Sequence, residues 1–410
     1  MRCGQLAHHF AGVGIKRLSA VDAEPKTSNQ HEINTTSRMR HDFLGENQNE
    51  RFKVVYIWLG EDEDRVAVEG FATHYDTRWN KPRRSPEWRL YYQKNQITEA
   101  MSAGDTLFLA RQKNGNLLFV VAPQESTTES QLFWLFGLKP DGSTFSSREI
   151  KFDEPELSYP ARYILDEIGI ELDEPEAEKL DGIIGKYGTS FPSTAEFSKL
   201  ARQTIAGVHP LESPDAALVA WLQHEEALYR RLERRIVHDR LNLGFVSDDG
   251  MDVDINGFIK FSLSVQNRRK SRMGHSLENH TAAILDAYKI RYERNPITER
   301  NHRPDFLFPD IETYRRAEFA SPVLTMLGVK STCKERWRQI LTEADKIPQK
   351  HLLTLEPGIT KNQTDQMDAS SIQLVVPAGI FCTYTETQQN WLWSVSDFIK
   401  YVGNRQFQSN

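Results

Sequence analysis

VKSTCKERWRQILTEADK, residues 329–346, decides how this chain is read. Its first residues finish an apolar strand, LTMLGVK, and the rest is a helix bearing Lys334, Glu335, Arg336 and Arg338. Lys330 stands at the join, and Glu343 follows thirteen residues later. Cations at a helix start oppose the helix dipole, which favours negative charge there. A merely solvated helix start is the plain alternative, and the mild conflict with the dipole favours an anionic ligand.

Working outward, Pro304-Asp305 opens a second apolar strand, PDFLFP, twenty-five residues before Lys330. The turn DIETYRR fits between the two. If the strands pair, Asp305 and Lys330 emerge together at one edge of the sheet. Glu343 lies one helix on, and Glu278 lies on the helix HSLENHTAAILDAYKI (275–290) before it. Three carboxylates and a lysine from four segments suit metal-assisted phosphodiester hydrolysis. Mg²⁺ is held by one or two carboxylates, waters and phosphate oxygens. It polarises the phosphate and acidifies a water.

The flanking pattern is α/β. SPDAALVAWLQHEEALYRRLERRIVHDRL begins with Ser213 and Pro214, an N-cap and first-turn pair, and continues with apolar residues near helical spacing. PDFLFP, LTMLGVKS, HLLTLEP and SIQLVVPAG read as strands of a mixed sheet, and WSVSDFIKYVGN as a closing helix. The first 150 residues differ in style. FKVVYIWL (52–59), RVAVEGFATHY (65–75), TLFLARQ (106–112), NLLFVVAP (116–123) and QLFWLFGL (131–138) read as short strands between turn signals such as KNGN and PDGS. The stretch DEIGIELDEPEAEKLDG between the halves is acidic and reads as a solvated hinge. The expected organisation is therefore a multidomain chain. Residues 1–150 form a β pseudo-barrel domain, 151–190 an acidic linker and 191–410 the α/β domain.

NRRKSRMGHSLENH, RPDFLFP and VKSTCKERWRQILTEADKI together resemble the catalytic domain of EcoRII-type restriction endonucleases, with HLLTLEPGI and QLVVP fitting the same pattern. The resemblance covers roughly residues 195–385. It implies a PD-(D/E)xK nuclease whose second carboxylate is displaced onto the helix after the lysine. By position, Asp305 resembles the metal-binding aspartate, Lys330 the catalytic lysine, Glu343 the displaced acid and Glu278 an additional glutamate, with Mg²⁺ as cofactor. Lys334, Glu335 and Arg336 fall where relatives read adjacent G·C pairs. Guanine offers acceptors to Lys or Arg, and cytosine N4 donates to a carboxylate. Arg268, Arg269, Lys270 and Arg272 of NRRKSR would hold backbone phosphates. Trp221 is the candidate to stack on an extruded base, against the plain alternative of a core tryptophan.

The N-terminal half resembles the B3-like effector domain of the same family. IKRLSAVDA (15–23) and NKPRRSPEWRLYY (80–92) look like its two DNA-contacting arms, bringing Lys16, Arg17, Lys81, Arg83, Arg84, Glu87 and Arg89 to DNA. The arms depart from the best-known member, which leaves their target sequence open. The implied protein is a homodimeric type II endonuclease cutting double-stranded DNA at a CCNGG- or CCWGG-like site. A second DNA copy would act as allosteric effector, the N-terminal domain would autoinhibit the free enzyme, and a cytosine methyltransferase would be its functional pair. The alternatives are a modification-dependent or repair nuclease on the same core, or a regulator with a decayed nuclease domain.

Bulk properties fit. A length of 410 residues calls for more than one domain. A net charge of −6 does not exclude a local cationic face. Three dispersed cysteines (Cys3, Cys333, Cys382) offer neither a disulfide frame nor a zinc site and point to a reducing compartment. The apolar runs are too short for a membrane span, and MRCGQLAHHFAG lacks a signal-peptide core. A cytoplasmic location is expected.

Overall fold

The computed structural model describes residues 5–24, 31–60, 65–81, 83–142, 144–151, 157–170, 172, 177–246 and 252–407. The chain divides into two compact units. One comprises Arg2–Asp173 with Pro357–Thr360, and the other Glu174–Glu356 with Lys361–Asn410.

The N-terminal unit is built on β1 (Phe10–Arg17), β2 (Glu32–Asn34), β3 (Asn49–Trp58), β4 (Val66–Asp76), β5 (Trp88–Tyr92), β6 (Thr106–Gln112), β7 (Leu117–Ala122) and β8 (Ser146–Glu149). They form one sheet in the order β2-β5-β4-β3-β7-β6-β1-β8, with only β3 and β7 parallel. β7 is apolar along its whole length because both faces are covered. Leu118, Val120 and Ala122 join one cluster with Phe108, Phe136 and Ile164. Leu117, Phe119 and Val121 join another with Leu90, Tyr92 and Leu109.

QLFWLFGL, predicted as a strand, is instead the end of a helix, Thr127–Phe136. Ser126 accepts from Glu129 N at 3.1 Å and caps its start, and Gly137 ends it in the left-handed region (φ 59°). A short apolar run cannot tell helix from strand, and the polar TTES before it carried the signal. Tyr159–Glu167, inside the predicted linker, is also helical and places Ile164 and Leu165 in the sheet's core. The most acidic part of that stretch, residues 171 and 173–176, lies outside the described residues.

The C-terminal unit carries a five-stranded mixed sheet in the order β13-β12-β11-β10-β9. Its strands are β9 (Glu293–Arg294), β10 (Phe306–Phe308), β11 (Thr325–Lys330), β12 (Lys350–Thr354) and β13 (Ile372–Val375). β9, β10 and β11 run antiparallel, whereas β11, β12 and β13 run parallel. The helices Thr194–Thr204, Pro214–Leu243 and Ile255–Ala287 pack beside one another, the first two around Phe197, Leu200, Leu228 and Leu232. Ser213 and Pro214 begin the second as expected, Ser213 Oγ accepting from Ala216 N at 3.4 Å. The third begins twenty residues before the predicted 275, so NRRKSR is helical.

Candidate active site

The site grows from the pairing of β10 with β11. Phe306 faces Leu327 across the antiparallel ladder, so Asp305 sits where β11 ends. Asp305 is 9% exposed, and its Oδ2 accepts from Val329 N at 2.6 Å and from Lys330 Nζ at 2.9 Å. A buried carboxylate held by a backbone N–H and an ammonium is rigidly placed.

Beyond Lys330 the chain forms a 3₁₀ helix, Lys334–Thr342, whose Trp337 and Ile340 are buried. Gly328 makes that packing possible: a Cβ there would lie 2.8 Å from Ile340 Cγ2. Gly328 stands two residues before Lys330, and the helix packed against it leads into Glu343. Glu343 is the extended residue that ends the helix rather than a residue within it (φ −88°, ψ 142°).

Burial, reinforced by the neighbouring charge of Asp305, pushes the Glu343 carboxyl up to about 7, against the pull of Lys330 and Lys350. Its Oε2 is buried without a hydrogen-bond partner. An orphaned carboxylate oxygen beside Asp305 is a donor set suited to a hard divalent cation. Asp305, Lys330 and Glu343 are thus brought together.

Glu278 is committed elsewhere, its Oε2 accepting from Arg294 Nη2 at 3.0 Å. Arg294 lies on β9 opposite Phe306, so Glu278 is tied to the strand beside β10. Among the described residues no three His, Cys, Asp or Glu side chains are grouped to hold a metal ion. Glu278 is thus engaged by Arg294, while Asp305 and Lys330 form their own ion pair.

Arg336 is exposed on the helix after Lys330, while the side chains of Lys334 and Glu335 lie outside the described residues. Within NRRKSR the described cations differ, Arg268 and Arg269 being exposed and Arg272 buried. Arg272 is buried, paired with Glu226 and stacked 4.2 Å from the Tyr229 ring, and Arg269 donates to Glu233 at 2.7 Å. Arg268 is exposed and lies 4.4 Å from the Phe191 ring, and the Lys270 side chain lies outside the described residues. Trp221 is 5% exposed, packed against His280 at 5.7 Å. It is a core residue, with no face open to a base.

In the N-terminal unit Lys16 is buried and paired with Asp22 at 2.7 Å, which removes it from the predicted contact surface. Arg17 is held by Glu129 and by the Gly104 carbonyl, and Arg89 by Glu32 and Glu87. Lys81, Arg83 and Arg84 remain exposed on a loop tied at its base. There Thr77 N donates to Glu87 O at 2.9 Å, and Asp76 Oδ1 accepts from Arg78 N and Glu87 N at 2.9 and 2.8 Å.

Residues 229–399 match the family described as EcoRII C terminal. The type II restriction enzyme EcoRII of Escherichia coli is 36% identical over 244 residues, 59% of this chain and 58% of that protein. The alignment thus spans little more than half of the relative's length. A solved structure of metal-depleted Ecl18kI with uncleaved, modified DNA aligns at 13% identity over 57% of this chain and 85% of that one, with a TM-score of 0.42. The B3 domain of the UbaLAI restriction endonuclease, solved with cognate DNA, aligns at 16% identity over 36% of this chain and 91% of that one, with a TM-score of 0.23.

Proposed function

We propose, from the EcoRII-like sequence that residues 229–399 carry, that this chain is a type II restriction endonuclease hydrolysing double-stranded DNA. The observation that carries the reading is the sheet-edge cluster of Asp305, Lys330 and Glu343, with its orphaned carboxylate oxygen. Asp305 and Glu343 would hold Mg²⁺, which when bound supplies a Lewis acid to the scissile phosphate. Lys330, fixed by Asp305, offers its ammonium to the charge that builds on the phosphate oxygens. Asp305 is buried and Glu343 half-buried, and the lower dielectric there strengthens the pull of such charges on an ion.

The target is a CCNGG- or CCWGG-like site read through the segment Lys334–Arg336, and two copies of the chain cut the two strands of the near-palindrome. The N-terminal domain binds a further DNA copy through Lys81, Arg83 and Arg84, and that binding relieves autoinhibition. A cytosine methyltransferase protects the host site, and both proteins work in the cytoplasm. No helix among the described residues is long and apolar enough to cross a membrane.

The test is Mg²⁺-dependent cleavage, mapped to the nucleotide, on plasmids carrying zero, one or several unmethylated CCNGG-type sites. Site-dependent cutting that rises with copy number supports both the nuclease and the effector role. Cutting elsewhere removes the specificity, and retained binding without cutting removes the nuclease. Arg336→Ala should relax discrimination at one G·C pair by about 1–3 kcal/mol, measured as relative kcat/KM on single-substitution sites. An unchanged preference at every position would remove Arg336 from the readout.

A further inference from the structure

The turn that carries Glu343 is held from outside at every residue. Lys350, the first residue of β12, is 4% exposed, and its Nζ donates to the carbonyls of Glu343 and, at 2.8 Å, of Ala344. Ala344 stands in the left-handed region at φ 50°, where an L side chain is disfavoured and must be held by its surroundings. Asp345 N donates to Glu299 at 3.3 Å, and Lys346 N to the Tyr314 hydroxyl at 3.1 Å. The Tyr314 hydroxyl donates in turn to Glu299.

All these holds act on backbone atoms, whereas Glu343 Oε2 has no hydrogen-bond partner. The carboxylate is therefore aimed by the backbone of its turn and left free at its tip. An ammonium can serve two successive carbonyls at once, and its charge offsets the acids Glu343, Asp345 and Glu299 around it. Burying such a charge is costly, and a buried ionic group of this kind is weak evidence for a purely stabilising role.

We propose that Lys350 is a positioning residue, pinning the Glu343–Ala344 turn so that the Glu343 carboxylate meets the ion shared with Asp305. This rests on the nuclease reading and adds a residue to it. The experiment uses the full chain and two variants, K350M and K350R. Cleavage kinetics are combined with Mn²⁺ titration of the complex with a non-cleavable phosphorothioate duplex, free Mn²⁺ being counted by electron paramagnetic resonance.

In K350M, kcat should fall about 100-fold with KM for DNA unchanged. Mn²⁺ affinity should fall at least about tenfold. K350R keeps the charge and the donors and should recover most of both. If Lys350 acted only as a charge, K350M would bind Mn²⁺ more tightly, and that result overturns the proposal. So does a K350M enzyme within about threefold of the wild type, well short of the loss that misplacement causes. Should K350M not fold, K350R decides: Mn²⁺ binding close to wild type supports the proposal, and its loss in a folded K350R overturns it. A wild-type chain that neither cuts DNA nor binds Mn²⁺ overturns the nuclease reading itself.

Discussion

Asp305→Asn should abolish cleavage, lowering kcat by about 10³-fold or more, while leaving affinity for an unmethylated CCNGG-type duplex within a few-fold of the wild type. Asparagine is the informative choice because Asp305 Oδ2 has two duties. It accepts from Val329 N at 2.6 Å and from Lys330 Nζ at 2.9 Å. The asparagine amide oxygen can keep both bonds, so β11 and Lys330 stay where they are. The negative charge and the second carboxylate oxygen, which the ion would use, are lost. Alanine would also strand a buried N–H and an ammonium, costing about 1–3 kcal/mol of stability and confusing misfolding with loss of chemistry. Binding survives because removing a negative charge from a phosphate-facing site does not oppose DNA. Cleavage and binding lost in equal measure would place the active site elsewhere.

That prediction uses the part of the site that the sequence displays openly. Asp305 and Lys330 are legible because each stands at the end of an apolar strand, and one helical turn between them forces the strands antiparallel. What stayed hidden depends on partners distant in sequence. Nothing local shows that Arg269 and Arg272 meet Glu233 and Glu226 on the neighbouring helix, or that Asp22 takes up Lys16. A run of cations reads the same whether it faces a phosphate or a carboxylate. Trp221 reads as aromatic at helical spacing, and only packing shows that its ring is covered. Gly328 and Lys350 escaped for opposite reasons. One is an absence of side chain that matters only because Ile340 occupies the space, and the other is a charge before an apolar strand, which looks like an ordinary solvated strand end. The helix Thr127–Phe136 is not legible in sequence because an eight-residue apolar run carries no decisive period.

The second large effect concerns stability rather than turnover, and its sign follows from Glu343. In the folded chain its carboxyl is raised from 4.5 to about 7, chiefly by burial. The folded state therefore keeps a proton that the unfolded chain gives up, and the associated stability is fully present below pH 4.5. It drains away as pH rises toward 7, when the folded protein must hold a buried negative charge. Glu343→Gln stays neutral throughout and escapes that loss. In chelator-treated protein the variant should gain on the wild type between pH 5 and pH 8. The ceiling is about 3 kcal/mol, as a tenfold change in proton affinity is worth about 1.4 kcal/mol. Denaturant unfolding at the two pH values measures it. A stability difference that does not change with pH would mean that the folded environment does not disfavour the charge. Adding Mg²⁺ at pH 8 should then raise the unfolding midpoint of the wild type and leave that of the variant nearly unmoved. An ion that binds only the folded state adds stability according to its affinity, and the variant lacks one of its two carboxylates. On that expectation the wild-type chain at pH 8 is less stable than the variant until an ion is added, because its half-buried Glu343 carboxylate must carry a charge whose Oε2 has no hydrogen-bond partner.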